Sequence, residues 1–231
     1  MENLGLTYLL LAYFSISLLD NFVLVEQNNK EQSFCNYLNM ARSREFDPKE
    51  ALEKAMIVFW QKGYINTSID DLVNATGVSR FGLYDEFGSK HGLFLASLDY
   101  YQDTAVTAFF GIVEQPGAGM KQIKEYFANL IEIYAKPEGK FGCLVCNSAT
   151  ELAPHDKNVE KIVKSALDRM TQGFAKALSN AKKNAEVSKN LNVIQSADFL
   201  TGIVLGASVM VKSGASKQMI SNTINMSLAA F

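Results

Sequence analysis

The chain has 231 residues, of which 48% are hydrophobic, and this length and composition suit one or two compact domains with a proper core. Its formal net charge of −2 excludes a polycation that coats nucleic acid without selectivity, so any DNA binding has to come from a local surface. The three cysteines are too few for a secreted disulfide scaffold and predict a cytoplasmic protein.

Residues 1–40 differ from the rest because residues 4–19 carry no charge. This stretch is shorter than the roughly 20 residues that a membrane-spanning helix needs, and Asp20 and Asn21 interrupt the apolar sequence. We predict an apolar extension that is disordered or foreign to the natural protein, because Met40 and the residues after it are typical of a natural start. The alternative is a membrane-tethered helical interaction protein.

A first helix is predicted from Asp47, which offers an N-cap carboxylate before Pro48 and the acid Glu50. Apolar residues then recur at intervals of three and four as far as Trp60. Gly63 can adopt the left-handed backbone conformation that commonly ends a helix. The apolar stripe indicates a helix that packs against a core.

Two short helices follow around a glycine turn. Thr67 or Ser68 caps the first of them, and Ser79 caps the second, which extends to Phe87. The turn is Thr76-Gly77-Val78, and this arrangement is typical of a helix-turn-helix.

These residues resemble the DNA-binding domain of the TetR family of transcriptional regulators. The motif that carries the resemblance is Phe59-Trp60-x-x-Gly63-Tyr64-x-x-Thr67-Ser68-Ile69-x-x-Leu72-x-x-Ala75-x-Gly77-Val78-Ser79-x-x-x-Leu83-Tyr84-x-x-Phe87-x-x-Lys90-x-x-Leu93. The resemblance implies an all-α fold, with a three-helix DNA-binding domain at residues 41–90 and a larger helical domain for dimerisation and ligand binding at residues 91–231. It also implies a repressor without a cofactor, released from a palindromic operator in double-stranded DNA by a small-molecule or electrophilic effector.

In such a domain the recognition helix enters the major groove, which here corresponds to residues 79–84. Arg80 suits guanine or a phosphate, Ser79 can donate from the helix start, and Phe81 suits a thymine methyl group. The resemblance assigns phosphate contacts to Tyr84 and Lys90. Hydroxyl and backbone N–H groups of Thr67 and Ser68 are further expected phosphate contacts.

Two features depart from a simple DNA-binding surface. Many relatives place glycine and then a small hydroxyl residue in the middle of the recognition helix, whereas this chain has Phe81-Gly82, which puts direct base contacts in doubt. Residues 40–90 also hold seven basic and eight acidic side chains (Arg42, Arg44, Lys49, Lys54, Lys62, Arg80 and Lys90 against Glu45, Asp47, Glu50, Glu53, Asp70, Asp71, Asp85 and Glu86). Binding therefore has to rely on a few placed cations, with Arg42 and Arg44 as an arm that touches a phosphate or the minor groove.

The remainder is predicted to be helical. Amphipathic patterns indicate a long helix from about residue 90 to Pro116, a helix at 120–134, and others near 142–152, 156–184, 195–213 and 216–230. The last two are rich in small and apolar residues, and Gly202 and Gly206 would let another backbone approach closely. We predict a homodimer through these two helices, with an internal core helix as the alternative.

The segment at residues 141–156 resembles a Gly-Cys-Leu stretch found in part of the same family. Cys143 lies at a predicted helix N-terminus, where its thiolate would be stabilised, so it is a possible sensor of electrophiles or oxidants. The alternative is a small buried packing residue. Cys143, Cys146 and the distant His155 fall short of four zinc ligands, and Ser148, Glu151, His155 and Asp156 form no recognised catalytic set, so neither a metal site nor an enzyme is predicted.

Overall fold

The computed structural model describes residues 46–231, and over this range the chain is helical, with no strand. The predicted extension at residues 1–40 and the proposed arm residues Arg42 and Arg44 lie outside the described residues. The helices are α1 (Pro48–Lys62), α2 (Ile69–Thr76), α3 (Arg80–Phe87), α4 (Lys90–Tyr101, continued by a π-helical turn at Gln102–Val106 and by Thr107–Glu114), α5 (Met120–Tyr134), α6 (Leu144–Glu151), α7 (Lys157–Lys183), α8 (Val193–Lys212) and α9 (Lys217–Leu228). The predicted all-α fold is confirmed for these residues.

Side-chain caps define the short N-terminal helices. The hydroxyl groups of Ser68, Ser79 and Ser89 accept hydrogen bonds from backbone N–H groups in the first turns of α2, α3 and α4. Gly63 and Gly77 have φ values of 79° and 74°, in the left-handed region, and they end α1 and α2. These caps produce the predicted helix-turn-helix. We call α1 to α3 the head and α4 to α9 the body.

The head packs on the start of α4 through aromatic and aliphatic side chains. Phe59 of α1 meets Phe94 of α4 edge-to-face at 5.0 Å between ring centroids, and both side chains are buried. Leu72 and Leu83 anchor α2 and α3 in the same way, because each is at most 1% exposed. One face of each short helix is therefore held inward, and the opposite face is left to solvent.

The body has a separate aromatic core. Phe110, Tyr126, Phe127 and Phe174 stack and meet edge-to-face at centroid distances between 5.2 and 5.9 Å. These aromatic residues fill the space between α4, α5 and α7.

α8 packs along α7 through small and branched residues, and its opposite face is exposed to solvent. Ala197, Leu200 and Val204 are buried against the body core. By length and composition alone α8 would also be able to cross a membrane. Core helices of folded domains have the same property, and here the helix contributes to the body core.

The segment between α5 and α7 turns sharply. A 3₁₀ turn at Pro137–Phe141 leads to Gly142 and α6, and α6 ends at Glu151, before Pro154. Asp156 then caps α7 by accepting hydrogen bonds from the N–H groups of Asn158 and Val159.

Candidate nucleic-acid interface

α3 presents a solvent face from a fixed start. Its N-cap Ser79 accepts a hydrogen bond from the N–H of Gly82, and Leu83 anchors the other side of the helix. Phe81 and Tyr84 are 73% and 39% exposed. Such a helix can enter the major groove without disturbing its own packing.

Arg80 forms an exposed ion pair with Asp70 of α2, in which the guanidinium nitrogen lies 2.8 Å from the carboxylate. Because both side chains are exposed, this pair contributes only about 0–1 kcal/mol. The guanidinium can therefore exchange Asp70 for a base edge or a phosphate at little cost.

The N-terminus of α2 is a closed hydrogen-bonding unit. Ser68 and Asp71 form a reciprocal capping box, and Lys62 of α1 donates to the Asp71 carboxylate at 2.6 Å. The hydrogen bond from Lys62, followed by those from Ser68, lowers the pKa of Asp71 to about 2. A phosphate at Ser68 would have to compete with this carboxylate.

The structure corrects the prediction of a phosphate contact from the Thr67 side chain. Thr67 is 1% exposed, and its hydroxyl donates to the Gly63 carbonyl at 2.6 Å. The side chain thus supports the loop between α1 and α2 from within, and only Ser68 of this pair is exposed.

Lys90, at the start of α4, lies over the ring of Tyr64, with its Nζ 4.2 Å from the ring centroid. Burial lowers the pKa of Lys90 from its ordinary value, and the nearby carboxylates of Glu151 and Asp71 act in the opposite direction. Tyr64 and Lys62 were not among the predicted functional residues. The motif contained Tyr64, but the contacts of Tyr64 and Lys62 cross the α1–α2 loop. Such contacts produce no periodic pattern in the sequence from which they could be predicted.

The Cys143 thiol lies at the N-cap of α6, apart from the residues of the head. It is half-buried, beside the buried Cys146. A hydrogen bond from the Cys146 thiol, opposed by burial and assisted by backbone N–H groups of α6, lowers the pKa of Cys143 to about 7. The hydrogen bond with Cys143, together with burial, raises the pKa of Cys146 well above its usual range. Cys143 is thus the more acidic thiol of the pair.

The head and the larger helical body together define the class of protein. A capped recognition helix with an exposed polar and aromatic face, held by a three-helix core and joined to a bundle, is the architecture of a helix-turn-helix transcriptional regulator.

Comparison with known proteins agrees with this class. The family description "Bacterial regulatory proteins, tetR family" matches residues 51–97, and "Tetracyclin repressor-like, C-terminal domain" matches residues 119–226. The HTH-type transcriptional repressor ComR of Escherichia coli (strain K12) is 32% identical over 187 residues, which cover 80% of this chain and 89% of ComR. An uncharacterised regulator, YezE of Bacillus subtilis (strain 168), is 28% identical over 82% of this chain and 98% of its own length.

Solved structures share the fold. The TetR family regulator CifR, in a cysteine mutant bound to a 26 bp operator duplex, superposes with a TM-score of 0.73 at 24% identity and covers 82% of this chain and 100% of its own. A TetR family regulator from Cytophaga hutchinsonii superposes with a TM-score of 0.69 at 18% identity, over 79% and 93% of the two chains. The chain belongs to the TetR family of bacterial regulatory proteins.

Proposed function

We propose that this chain is a cytoplasmic, dimeric repressor that binds a palindromic operator through α3 and leaves it when an effector binds the body. The observation that carries this proposal is the exposed face of α3, where Arg80, Phe81 and Tyr84 project from a helix that Ser79 and Leu83 hold in place. Family membership and the repressor ComR support the same function.

The head residues divide between base and phosphate contacts. Arg80 and Phe81 lie in the first turn of α3, where Arg80 would bind guanine and Phe81 a thymine methyl group, with Ser79 donating beside them. Tyr84 and Lys90 would bind phosphates and fix the register, together with the exposed Ser68. Arg42 and Arg44 would extend this surface along the DNA.

The dimer would form through α8 and α9. Phe199 and Val209 of α8 are 44% and 55% exposed, and Met219 and Met226 of α9 are 57% and 75% exposed. Apolar side chains at these exposures on adjacent helices fit a subunit interface. A two-fold dimer would place its two recognition helices in successive major grooves of a palindrome.

We assign the chain no catalytic step. The Ser148 hydroxyl donates to the Leu144 carbonyl, and both oxygens of Glu151 accept backbone N–H groups of the head. Asp156 caps α7 and pairs with His91 at 3.2 Å. These contacts support structural roles for the polar residues of the segment at 141–156.

The first test is a salt-dependent titration of the protein that starts at Met40 against DNA from around its own coding region. Saturable, sequence-selective binding by a dimer is expected.

Replacing Lys90 by glutamine or Tyr84 by phenylalanine should weaken binding to all sequences, and K90Q should reduce the salt slope by about one. Arg80→Ala should change base preference at one position, with a cost of about 1–3 kcal/mol.

Lys164→Gln is the matched control, because it removes one positive charge from a side chain that is 73% exposed on α7, about two helical turns beyond the Asp156 that pairs with His91. It should bind as the wild type does. Unchanged affinity and base preference in all three head variants would refute the proposed interface.

We further propose that Cys143 is the residue through which an electrophile releases the operator. The hydrogen bond from Cys146 lowers the pKa of the Cys143 thiol, which raises its thiolate fraction at neutral pH, and the thiolate is the nucleophile. N-ethylmaleimide should therefore dissociate the wild-type complex, and Cys143→Ser should keep its DNA affinity but resist release. The Met40-start protein lacks Cys35, and Cys146→Ser tests the second thiol. Equal release of wild type and C143S would leave Cys143 as a packing residue.

A further inference from the structure

The carboxylate of Glu151 joins the body to the head. Glu151 is the last residue of α6, and its two oxygens accept hydrogen bonds from the backbone N–H groups of Tyr64, at 3.1 Å, and Ile65, at 2.8 Å. Both N–H groups belong to the loop between α1 and α2, three or four residues before Ser68. Hydrogen bonds to an ionised acceptor are roughly twice as strong as those between neutral groups.

The α1–α2 loop is shaped to receive this carboxylate. Gly63 has a φ of 79°, and a Cβ atom at this position would lie 2.8 Å from one Glu151 oxygen and 2.9 Å from the other. A side chain at residue 63 would therefore occupy the space of the carboxylate. Glycine here both ends α1 and admits Glu151.

The other end of α6 also contacts the head. The indole N–H of Trp60 in α1 donates to the Gly142 carbonyl at 2.8 Å. On its opposite side this end contacts α8, because the N–H of Cys143 donates to the Ser208 hydroxyl at 2.9 Å. The segment at 142–151 is thus bonded at both ends to α1 and its following loop, and at one end to the helix that we propose for dimerisation.

We propose that Glu151 is a positioning residue that fixes the angle of each head relative to the dimer, and so sets the half-site spacing that the dimer accepts. This inference rests on the proposed function, because spacing has meaning only for two heads on one operator. The spacing of half-sites mirrors the geometry of the dimer, and one inserted base pair turns one half-site by about 34–36° relative to the other, since B-DNA has 10–10.5 bp per turn. Heads held at one angle reject such a duplex, and heads released from Glu151 tolerate it.

The role is separable from folding. Ile65 is exposed, with 65% of its surface accessible, and Tyr64 is only partly buried, so water can bind the two N–H groups when the carboxylate is removed. The head also keeps its own core around Phe59 and Leu72. Variants at Glu151 should fold and still bind DNA.

The test compares two duplexes, the operator selected by the wild-type protein and the same operator with one base pair inserted at its centre. Dissociation constants are measured for the full chain and for E151A, E151Q and the control E132Q. Glu132 is an exposed carboxylate on α5 that pairs with Lys217 at 2.9 Å, so E132Q makes the same change of charge away from the head. Hydrogen exchange at the N–H groups of Tyr64 and Ile65 reports the contact itself.

Wild type and E132Q should prefer the parent duplex by at least about tenfold, equivalent to about 1.4 kcal/mol. In E151A the preference for the parent duplex should fall to about threefold or less. E151Q keeps one acceptor oxygen, so its preference should be intermediate. In both variants hydrogen exchange at the N–H groups of Tyr64 and Ile65 should be faster than in the wild type. An E151A that binds both duplexes more weakly but with the wild-type ratio would overturn the inference and leave Glu151 a stabilising residue. A wild type that selects no operator would refute the proposed function and the inference with it, whereas normal operator binding with an unchanged ratio in E151A would refute the inference alone.

Discussion

Asp71 shows how one carboxylate serves both the local helix and the packing of the head. It caps α2 together with Ser68, and it binds the Lys62 ammonium across the α1–α2 loop. The sequence predicted a cap at Thr67 or Ser68, and the structure shows that Ser68 is the cap. The sequence did not predict the ion pair, which depends on how the end of α1 approaches α2.

The low pKa of Asp71 makes the stability of the head depend on acid pH. The folded pKa of about 2 lies below the ordinary aspartate value of 3.8, so the ionised carboxylate stabilises the folded state above about pH 4, and this contribution is lost as pH falls towards 2. The difference in urea midpoint between wild type and Asp71→Asn should be constant above about pH 5 and should shrink below pH 4. Lys62→Gln should weaken this pH dependence, because it removes the principal cause of the shift. If the difference in urea midpoint between wild type and Asp71→Asn stayed the same down to pH 2, the low pKa assigned to Asp71 would be wrong.

Residue identity predicted some local contacts of the head and misled at one. Ser79 caps α3, as its position in the sequence predicted, and the structure shows Leu83 buried on the inner side of this helix. Thr67 was expected at a phosphate, but its side chain turns inward to the Gly63 carbonyl. A hydroxyl residue at a helix start can cap, support the preceding loop or bind a ligand, and sequence position alone does not distinguish these uses.

Among the helices, α8 offers a sharp test of the proposed dimer. A Cβ atom built at Gly206 meets no atom within 4 Å in this protomer, and Gly206 is exposed. In an isolated chain Gly206→Ala should therefore stabilise the helix by about 0.5–1 kcal/mol. If a partner backbone packs there, the added methyl group should instead cost about 1–3 kcal/mol of dimerisation free energy.

Sedimentation equilibrium of Gly206→Ala measures this cost directly, with a raised dimer dissociation constant as the expected result. Gly111→Ala is the control, since Gly111 is also helical and its Cβ would also meet no atom within 4 Å. A dimer of wild-type strength in both variants would place the interface elsewhere.

Helix boundaries were predictable to within a few residues because caps and apolar periods are local signals. The helix predicted at 120–134 matches α5, and those predicted near 156–184 and 195–213 match α7 and α8. The π-helical turn inside α4 was not predicted.

For the whole molecule, the sequence predicted the architecture but not the connection between head and body. The helix-turn-helix motif and the amphipathic helices after it were sufficient for an all-α regulator. The contact between Trp60 and Gly142 joins residues 82 positions apart, and Glu151 reaches residues 86 and 87 positions before it. No periodicity within one chain encodes such pairs, and Glu151 was considered only as part of an unconvincing catalytic set.

The π-helical turn at Gln102–Val106 couples the orientation of the head to the hydrogen-bonding register of one turn. The turn accommodates one residue more than an α-helical turn, and it lies in the helix on which the head is mounted. A regular α-helix with every residue kept would instead rotate the part of α4 before the turn by about 100° around the helix axis. The direction in which the head faces therefore depends on a single turn of α4, with no change in the residues that we propose to contact DNA.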